Sequence, residues 1–162
     1  MRVLVTGSQG FIGSYLCKEL LDQGYMVIGV DNYSKYGELA RPHDNHPNFT
    51  FFNEDISRWR HDNVASHPAL EHTDFIIAGA AMIGGISYFH KYAYDLLANN
   101  ERILANTFDL GIKLFNNNRL KRIIVLSSSM VFENTELYPT PESQILSCPP
   151  PSSTYGFQKL AS

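Results

Sequence analysis

The chain has 162 residues, enough for one ordinary domain with a sizeable core and too few for two such domains. Its 13 lysines and arginines against 16 aspartates and glutamates give a formal net charge of −3, and no long basic run is present. This balance argues against nucleic acid and against an anionic membrane surface as partners. It favours a small molecule as the ligand.

The cysteines and histidines are not spaced as metal ligands. Cys17 and Cys148 stand far apart, so we expect two free thiols, with Cys17 in the core. No apolar stretch approaches the roughly 20 residues of a membrane span. The apolar run at the N-terminus, before the first glycines, is too short for a signal peptide, so a cytoplasmic protein is expected. No metal site is expected, because no two histidines have helical i, i+4 spacing; they are His43, His46, His61, His67, His72 and His90.

The first third of the chain alternates short apolar runs with helical spacing. Arg2 to Thr6 is a β-branched run ended by a glycine, and Phe11 to Gln23 has the spacing of a helix that stops at Gly24. Met26 to Asp31 and Phe49 to Asn53 are predicted strands, with a turn-rich polar stretch between them.

The same alternation continues downstream. Asp74 to Ala81 reads as a strand buried on both faces, Tyr94 to Phe115 as one long helix, and Arg122 to Leu126 as a fifth strand. Glu133 to Ser153 is rich in proline and is predicted to be a long loop without regular structure. The order predicts an α/β protein, a doubly wound parallel sheet of the Rossmann type with helices on both faces.

A glycine-rich segment, "TGSQGFIG", joins the first strand to the first helix. Gly7, Gly10 and Gly13 permit a tight turn and let backbone N–H groups approach a phosphate. The N-terminus of the helix supplies partial positive charge to the same anion. In this context the segment predicts a dinucleotide site.

An acidic residue follows at the end of the second strand, as a dinucleotide site requires. Asp31 can accept hydrogen bonds from the adenosine ribose hydroxyls and repel a 2′-phosphate, which favours NAD over NADP. No nearby arginine is expected to reverse this choice. The alternative interpretation is an ordinary turn aspartate after a strand.

Two more segments lie at predicted strand ends. Asp55 could meet the adenine amino group with Ile56 packed near the ring, although an aspartate here is more often a helix N-cap. Gly79, Ala80 and Ala81 follow the fourth strand, where small side chains leave room for a cofactor to cross the sheet edge.

The last segment places Tyr155 and Lys159 one helical turn apart, on one face of a helix. An ammonium held there favours the phenolate and lowers the pKa of the tyrosine from about 10. Taken alone, the pair also fits a solvated helix face.

In their order and at their intervals, "TGSQGFIG", "VDNYS", "EDI", "GAA", "LSSSMVF" and "YGFQK" resemble the extended short-chain dehydrogenase/reductase family, specifically its NAD-dependent nucleotide-sugar epimerases and dehydratases. The stretch "AAMIGGISYFHK", followed by Asn100 and Asn106, is most similar to the GDP-fucose synthase and GDP-mannose 3,5-epimerase branch. The resemblance covers all 162 residues.

The resemblance implies three catalytic residues: Ser128 binds the reacting sugar oxygen, Tyr155 is the acid/base, and Lys159 holds the nicotinamide ribose and lowers the tyrosine pKa. Asn100 is implied to support that lysine. The full set expected to bind NAD is Gly7, Gln9, Gly10, Phe11, Ile12, Gly13, Asp31, Asn32, Asp55, Ile56, Gly79, Ala80, Ala81, Asn100, Tyr155 and Lys159.

The chain also departs from the family. Met130 stands where the GDP-sugar branch has a cysteine that serves in C3 or C5 epimerisation, and a thioether cannot exchange protons. Family members continue beyond this length with a smaller C-terminal domain that binds the nucleotide sugar. We therefore expect residues 1–162 to be the NAD-binding Rossmann domain of a longer enzyme, which can form a homodimer at full length.

The resemblance implies an epimerase or dehydratase acting on a nucleotide sugar, an isomerase or oxidoreductase by chemistry. A reductase of the same family, a non-catalytic NAD-binding module and an interaction protein that keeps only the scaffold remain as alternatives. Neither the sugar nor the carbon that changes can be read from these residues.

Overall fold

The computed structural model describes residues 1–59 and 68–162. These residues divide into two compact units, and α-helix α3 runs from one into the other. The first unit comprises Met1–Ala81 and Arg102–Leu126, and the second comprises Met82–Glu101 and Ser127–Ser162. His61 and His67 lie outside the described residues.

The first unit contains a five-stranded parallel sheet with the strand order β3-β2-β1-β4-β5. The sheet confirms all five predicted strands and the parallel Rossmann-type arrangement, and β3 and β5 form its edges. The strands are β1 Arg2–Thr6, β2 Met26–Asp31, β3 Phe49–Asn53, β4 Phe75–Ala78 and β5 Arg122–Val125.

Alternate residues of the central strands point into two separate cores. Leu4 and Ile76 belong to one core, and Val5 and Ile77 belong to the other. Because a sheet covered on both faces buries successive side chains, the central strands read as continuous apolar runs.

The helices of the first unit cover these two faces. Helix α1 (Phe11–Asp22) contributes Cys17 and Leu21 to one core, and α3 (Ala93–Asn116) contributes Leu110 and Leu114 to the other. Gly111 has a packing reason within α3, because a Cβ there would lie 2.4 Å from the side chain of Ile123 on β5. The sheet is therefore doubly wound, as predicted.

The expectation for the two cysteines is confirmed. Both are free thiols, and Cys17 is fully buried in the α1 core. Burial first, and then the carboxylates of Asp31 and Asp44, raise the pKa of the Cys17 thiol to about 12. Cys17 is therefore a packing residue at neutral pH, since the thiolate is the reactive form.

The second unit consists of short helices and the proline-rich loop. Its α-helices are α2 (Ile86–Lys91), the first part of α3 and α4 (Thr154–Ala161). Ser129–Phe132 forms a 3₁₀-helix between β5 and the loop. Ser153 is the N-cap of α4, and its hydroxyl accepts a hydrogen bond from the N–H of Gly156 at 3.0 Å.

Several predicted boundaries shift by one residue, and two larger differences from the prediction occur at β4 and in the proline-rich loop. Strand β4 ends at Ala78 rather than Ala81, because the N–H groups of Gly79 and Ala80 donate to the side chain of Thr6 instead of continuing the ladder. The prediction that Glu133–Ser153 has no regular structure was wrong for five residues, since Glu142–Leu146 forms a 3₁₀-helix. Proline is compatible with this helix because Pro141 stands just before its first residue.

No α-helix in the described part of the chain is long and apolar enough to cross a membrane. Within that same part, no group of three or more histidine, cysteine, aspartate and glutamate side chains could hold a metal ion.

His43 is a buried histidine in the long connection between β2 and β3. It is 2% exposed, and its ring meets Phe49 edge to face with centroids 4.6 Å apart. Among the residues that the structure describes, neither ring nitrogen has a hydrogen-bond partner. Burial lowers the pKa of His43 below 6.5; Asp44 opposes this shift and Arg41 adds to it. The folded state therefore holds His43 neutral.

We expect the free energy of unfolding to fall as the pH drops below about 6.5, because the unfolded chain then binds a proton at His43 that the folded chain resists. Above that pH the contribution is fully present. Denaturant titrations across this range check the prediction. His43→Leu removes this part of the pH dependence, whereas the exposed His72→Gln keeps it; equal slopes in the two variants would contradict the assignment.

Candidate functional site

The glycine-rich turn of the first unit leaves no room for a side chain at Gly7 or at Gly13. Gly7 has φ +74°, and a Cβ on it would lie 2.9 Å from the backbone of Ala80. A Cβ on Gly13 would lie 1.9 Å from the carbonyl oxygen of Gly7. The backbone of the turn therefore packs directly on the start of α1 and on the end of β4.

The first turn of α1 is available to an anion. Its N-cap is Gly10, which has no side chain to cap the helix, and the turn contains no acidic residue. The side chains of Phe11 and Ile12 are 66% and 58% exposed, next to the glycines. N–H groups at such a helix start favour a phosphate, since the helix dipole adds partial positive charge.

Asp31 ends β2 beside this turn, as predicted. Its carboxylate accepts hydrogen bonds from the N–H of Gln9 at 3.0 Å and from the N–H of Tyr33 at 2.8 Å. A carboxylate can accept up to about four hydrogen bonds, so two N–H donors leave acceptor capacity for ribose hydroxyls. Asp31 therefore also links the glycine turn to β2.

Arg41 was missed in the sequence, and the expectation of no nearby arginine was wrong. Its guanidinium donates to the carbonyl of Gln9 in the glycine turn. Asp44 connects the same groups, since its carboxylate accepts from the Arg41 N–H at 2.7 Å and from the Gln9 side chain at 3.1 Å. No spacing rule connects Arg41 to the turn; the course of the β2–β3 connection brings it there.

The small residues after β4 lie at the carboxyl edge of the sheet, as predicted. The N–H groups of Gly79 and Ala80 each donate to the hydroxyl of Thr6 at 3.1 Å. A Cβ on Gly79 would lie 2.9 Å from the Thr6 carbonyl. Ala81 follows and is half-buried. These contacts keep the chain close to the glycine turn.

Asp55 is a helix N-cap, which was the alternative interpretation of this residue. Its carboxylate caps the 3₁₀-helix Ile56–Arg58, accepting from the Ser57 N–H at 3.0 Å and the Ser57 hydroxyl at 2.7 Å. The expectation that the Ile56 side chain packs near a ligand ring needs correction, because that side chain is 4% exposed within the core. Asn32 is exposed, and its side chain accepts from the Ser34 N–H at 3.0 Å.

These residues fit a dinucleotide. A turn without space for a Cβ exposes the backbone, the first turn of α1 has no acidic group, and the carboxylate of Asp31 lies where the turn meets β2. The buried side-chain oxygen of Gln9 also has no hydrogen-bond partner within residues 1–59 and 68–162. The arrangement offers backbone donors to phosphate groups and a carboxylate acceptor to hydroxyls.

The second unit brings Ser128 and Tyr155 together. Ser128 is the N-cap of the 3₁₀-helix Ser129–Phe132, with its hydroxyl accepting from the Met130 N–H at 3.2 Å. Tyr155 lies in the first turn of α4, is 4% exposed, and shares a hydrogen bond with Ser128. Two predicted catalytic residues from separate segments are therefore close enough for Ser128 to affect the pKa of Tyr155.

The pKa of Tyr155 differs from the expectation. Burial raises it above 10, and the hydrogen bond with Ser128 partly offsets this rise. Lys159 lies one turn further on, with its Nζ 6.0 Å from the centre of the Tyr155 ring, and burial lowers the pKa of that lysine. Tyr155 and Lys159 are neighbours, as predicted. Desolvation has the larger effect on the tyrosine, so its pKa is raised and the expected lowering of that pKa is not found.

Asn100 is buried in α3 and holds the main chain of Met82. Its side-chain oxygen accepts from the Met82 N–H at 2.6 Å, and its side-chain nitrogen donates to the Met82 carbonyl at 3.0 Å. This pairing orders the segment that leads to α2. Support of Lys159 by Asn100 stays a prediction.

Phe89 is a second residue that the sequence did not single out. Its ring, on α2, stacks on the ring of Tyr155 with centroids 4.8 Å apart and planes 11° apart. The stack contributes to the burial of the phenol. The only signal in the sequence is an aromatic residue in "SYFHK", which by itself does not identify a partner.

The comparisons with known proteins fit this geometry. The sequence model of the NAD dependent epimerase/dehydratase family matches residues 3–162. The chain belongs to this family. The family resemblance is thereby confirmed, and NAD, the predicted cofactor, is the cofactor of the family.

The relatives include proteins named for UDP-glucose and for GDP-L-fucose. An uncharacterized UDP-glucose epimerase of Bacillus subtilis, YtcB, is 33% identical over 150 residues, which are 86% of this chain and 46% of that protein. A probable GDP-L-fucose synthase of Oryza sativa subsp. japonica is 25% identical over 162 residues, 99% of this chain and 42% of that protein. The chain spans less than half the length of these epimerase/dehydratase relatives.

The fold is also that of solved family structures. UDP-glucose 4-epimerase from Bifidobacterium longum, solved in complex with NAD+ and UDP, superposes with a TM-score of 0.70 at 26% identity. The superposition covers 99% of this chain and 46% of that one.

We expect Gly13→Ala to destabilise the chain by about 3 kcal/mol or more, because its Cβ would overlap the Gly7 carbonyl and force the turn away from α1. Gly85→Ala is the matched control, since a Cβ there meets nothing within 4 Å. It is expected to change the free energy of unfolding by less than about 1 kcal/mol. Chemical denaturation measures both; equal effects would contradict the packing argument.

Proposed function

We propose that this chain carries the NAD-binding and proton-transfer residues of a nucleotide-sugar epimerase or dehydratase. The observation that carries the proposal is the buried phenol of Tyr155, with the Phe89 ring stacked on it, the Lys159 Nζ 6.0 Å from its ring centre, and the Ser128 side chain lowering its pKa. A module that only binds a dinucleotide does not need a phenol desolvated and paired with a hydroxyl. The glycine turn and membership of the family support the same proposal.

In this proposal the first unit holds the cofactor. The turn containing Gly7, Gly10 and Gly13 binds the pyrophosphate, and Asp31 accepts hydrogen bonds from the adenosine ribose. Arg41 and Asp44 hold the turn in place through Gln9. When bound, NAD would accept a hydride from a sugar carbon and later return it.

Tyr155 handles the proton of the reacting hydroxyl. A sugar alcohol becomes a ketone when its carbon loses a hydride and its oxygen loses a proton, so a base is needed at that oxygen. Because burial raises the pKa of Tyr155, the resting phenol is protonated at neutral pH, so it has to lose that proton before it can accept the one from the sugar hydroxyl. The Ser128 hydroxyl favours the phenolate by hydrogen bonding and would also hold the sugar oxygen, and the Lys159 ammonium would hold the nicotinamide ribose.

The substrate class is a nucleotide sugar. Relatives named for UDP-glucose and for GDP-L-fucose support the class without choosing the nucleotide. Met130 occupies the position of the proton-exchanging cysteine of the GDP-sugar branch, which disfavours C3 or C5 epimerisation by that route. A reductase of the same family uses the same three residues and stays an alternative.

We keep the organisation of the longer protein as part of the proposal. Residues 1–162 would be its NAD-binding domain, and the domain that binds the sugar nucleotide would lie outside this sequence. The relatives, of which this chain covers 46% and 42%, support that organisation. A homodimer of the full-length protein and a cytoplasmic location belong to the same proposal.

Calorimetric titration of NAD+ into the chain tests the cofactor half. We expect Asp31→Ala to weaken binding about tenfold or more, because a hydrogen bond to a charged group contributes about 1.5–3 kcal/mol. The control Asp22→Ala removes an exposed carboxylate that pairs with Lys18 on α1 and is expected to bind like the unchanged chain. NADP+ is titrated in parallel, since Arg41 lies close to Gln9. Equal affinities of the Asp31 and Asp22 variants would remove Asp31 from the site.

Tyr155→Phe tests the catalytic half in the full-length protein. With a panel of UDP- and GDP-sugars, we expect turnover to fall roughly 10²–10⁴-fold while NAD+ affinity stays within about twofold, because only the proton-transferring hydroxyl is lost. Tyr138→Phe, on an exposed tyrosine of the loop, is the control. Unchanged turnover in Tyr155→Phe would remove Tyr155 from the catalytic residues, whereas NAD+ binding without turnover of any sugar by the unchanged protein would favour a non-catalytic NAD-binding module.

A further inference from the structure

The loop between the 3₁₀-helix Ser129–Phe132 and α4 is closed at its base by two neighbouring side chains. The carboxylate of Glu133 accepts from the N–H of Ser153 at 2.9 Å. The side-chain amide of Asn134 donates to the carbonyl of Pro150 at 2.7 Å and to the hydroxyl of Ser152 at 3.2 Å. These bonds join residues 16 to 20 positions apart and hold both ends of the loop together.

The Glu133 contact lies at the start of the helix that carries Tyr155. Ser153 donates its N–H to Glu133 and, as N-cap of α4, accepts the N–H of Gly156 with its hydroxyl. A Cβ on Gly156 would lie 2.6 Å from the Met130 carbonyl and 2.6 Å from Pro151. The first turn of α4 is therefore pressed against the 3₁₀-helix and cannot shift independently.

Ser128 caps the other end of that same 3₁₀-helix. The distance between the Ser128 hydroxyl and the Tyr155 phenol therefore depends on how this helix is attached to α4. Glu133 directly follows the helix, so its bond to Ser153 connects the two elements next to the reacting groups.

We propose that Glu133 is a positioning residue, which through its hydrogen bond to Ser153 keeps α4 aligned so that Tyr155 meets Ser128. The inference rests on the proposed function only in that Tyr155 and Ser128 are taken to be catalytic residues. A carboxylate suits this place, since charge-assisted hydrogen bonds are shorter and stronger than neutral ones and a negative charge is favoured at a helix N-terminus.

The groups around Tyr155 make its titration a reporter of that alignment. Ser128 faces it from the 3₁₀-helix, the Lys159 ammonium from α4, and the uncharged Phe89 ring from α2. Of these, the Ser128 hydrogen bond lowers the pKa of Tyr155. A shift of α4 that breaks this hydrogen bond while Tyr155 stays buried therefore raises that pKa, whereas loss of stability alone leaves it unchanged in the folded population.

The experiment is an NMR titration of the chain labelled with ¹³C at the tyrosine ring carbon that bears the hydroxyl, with the Tyr155 signal assigned by Tyr155→Phe. Glu133→Asp keeps the charge but is one carbon too short to reach Ser153, and we expect it to raise the Tyr155 pKa in the same direction as Ser128→Ala. Glu133→Gln keeps an acceptor oxygen at full length and is expected to titrate close to the unchanged chain. The double variant Ser128→Ala with Glu133→Asp is expected to shift no further than Ser128→Ala alone.

Glu136→Gln is the control for charge alone, because this glutamate is exposed in the same loop. A Glu133→Asp chain that titrates like the unchanged one, or shifts that simply add in the double variant, would overturn the proposal. A Glu136→Gln shift as large as that of Glu133→Asp would also overturn it. The titration needs neither NAD nor a sugar, so its outcome is separate from the turnover of Tyr155→Phe that tests the proposed function.

Discussion

Close contact between backbone segments at Gly7 is the constraint on which the first unit depends. The turn leaves β1 there with φ +74°. A Cβ on Gly7 would lie 2.9 Å from the Ala80 backbone, and a Cβ on Gly13 of α1 would lie 1.9 Å from the Gly7 carbonyl oxygen. At Gly7 the backbones of β1, α1 and the segment after β4 therefore pack directly on one another. The N-cap of α1 is likewise a glycine, Gly10, so no side chain caps the first turn of α1 and its N–H groups can bind a phosphate.

A polar network holds that turn from the side of β2. Asp31 accepts the Gln9 N–H, Arg41 donates to the Gln9 carbonyl, and Asp44 joins Arg41 to the Gln9 side chain. Because Gln9 is 4% exposed, the bonds that it forms with Asp31, Arg41 and Asp44 are partly buried and are costly to leave unmade. The long β2–β3 connection is thus a structural part of the glycine turn as well as a link between strands.

The central feature of the second unit is a buried phenol, that of Tyr155. Tyr155 is held under Phe89 and beside Ser128, so desolvation opposes ionisation while one hydrogen bond favours it. Lys159 is buried enough for its own pKa to fall, and its charge does not reverse the effect on the tyrosine. The pKa of Tyr155 therefore depends on its hydrogen bonding as well as on its burial. A small movement at the start of α4 that changes this hydrogen bonding would change the pKa.

The amino-acid sequence by itself determined the strands, the two long helices, the glycine turn with Asp31, and the family, because each of these follows from periodicity or from residues close together in the chain. Tertiary structure alone decided that β4 stops where Thr6 captures two N–H groups, that Arg41 reaches the glycine turn, that Ile56 enters the core, and that Phe89 covers Tyr155. These features join residues between 30 and 75 positions apart, for which local propensity and spacing carry no information. The pKa of Tyr155 belongs with them, since its direction depends on burial, which no tyrosine–lysine spacing specifies.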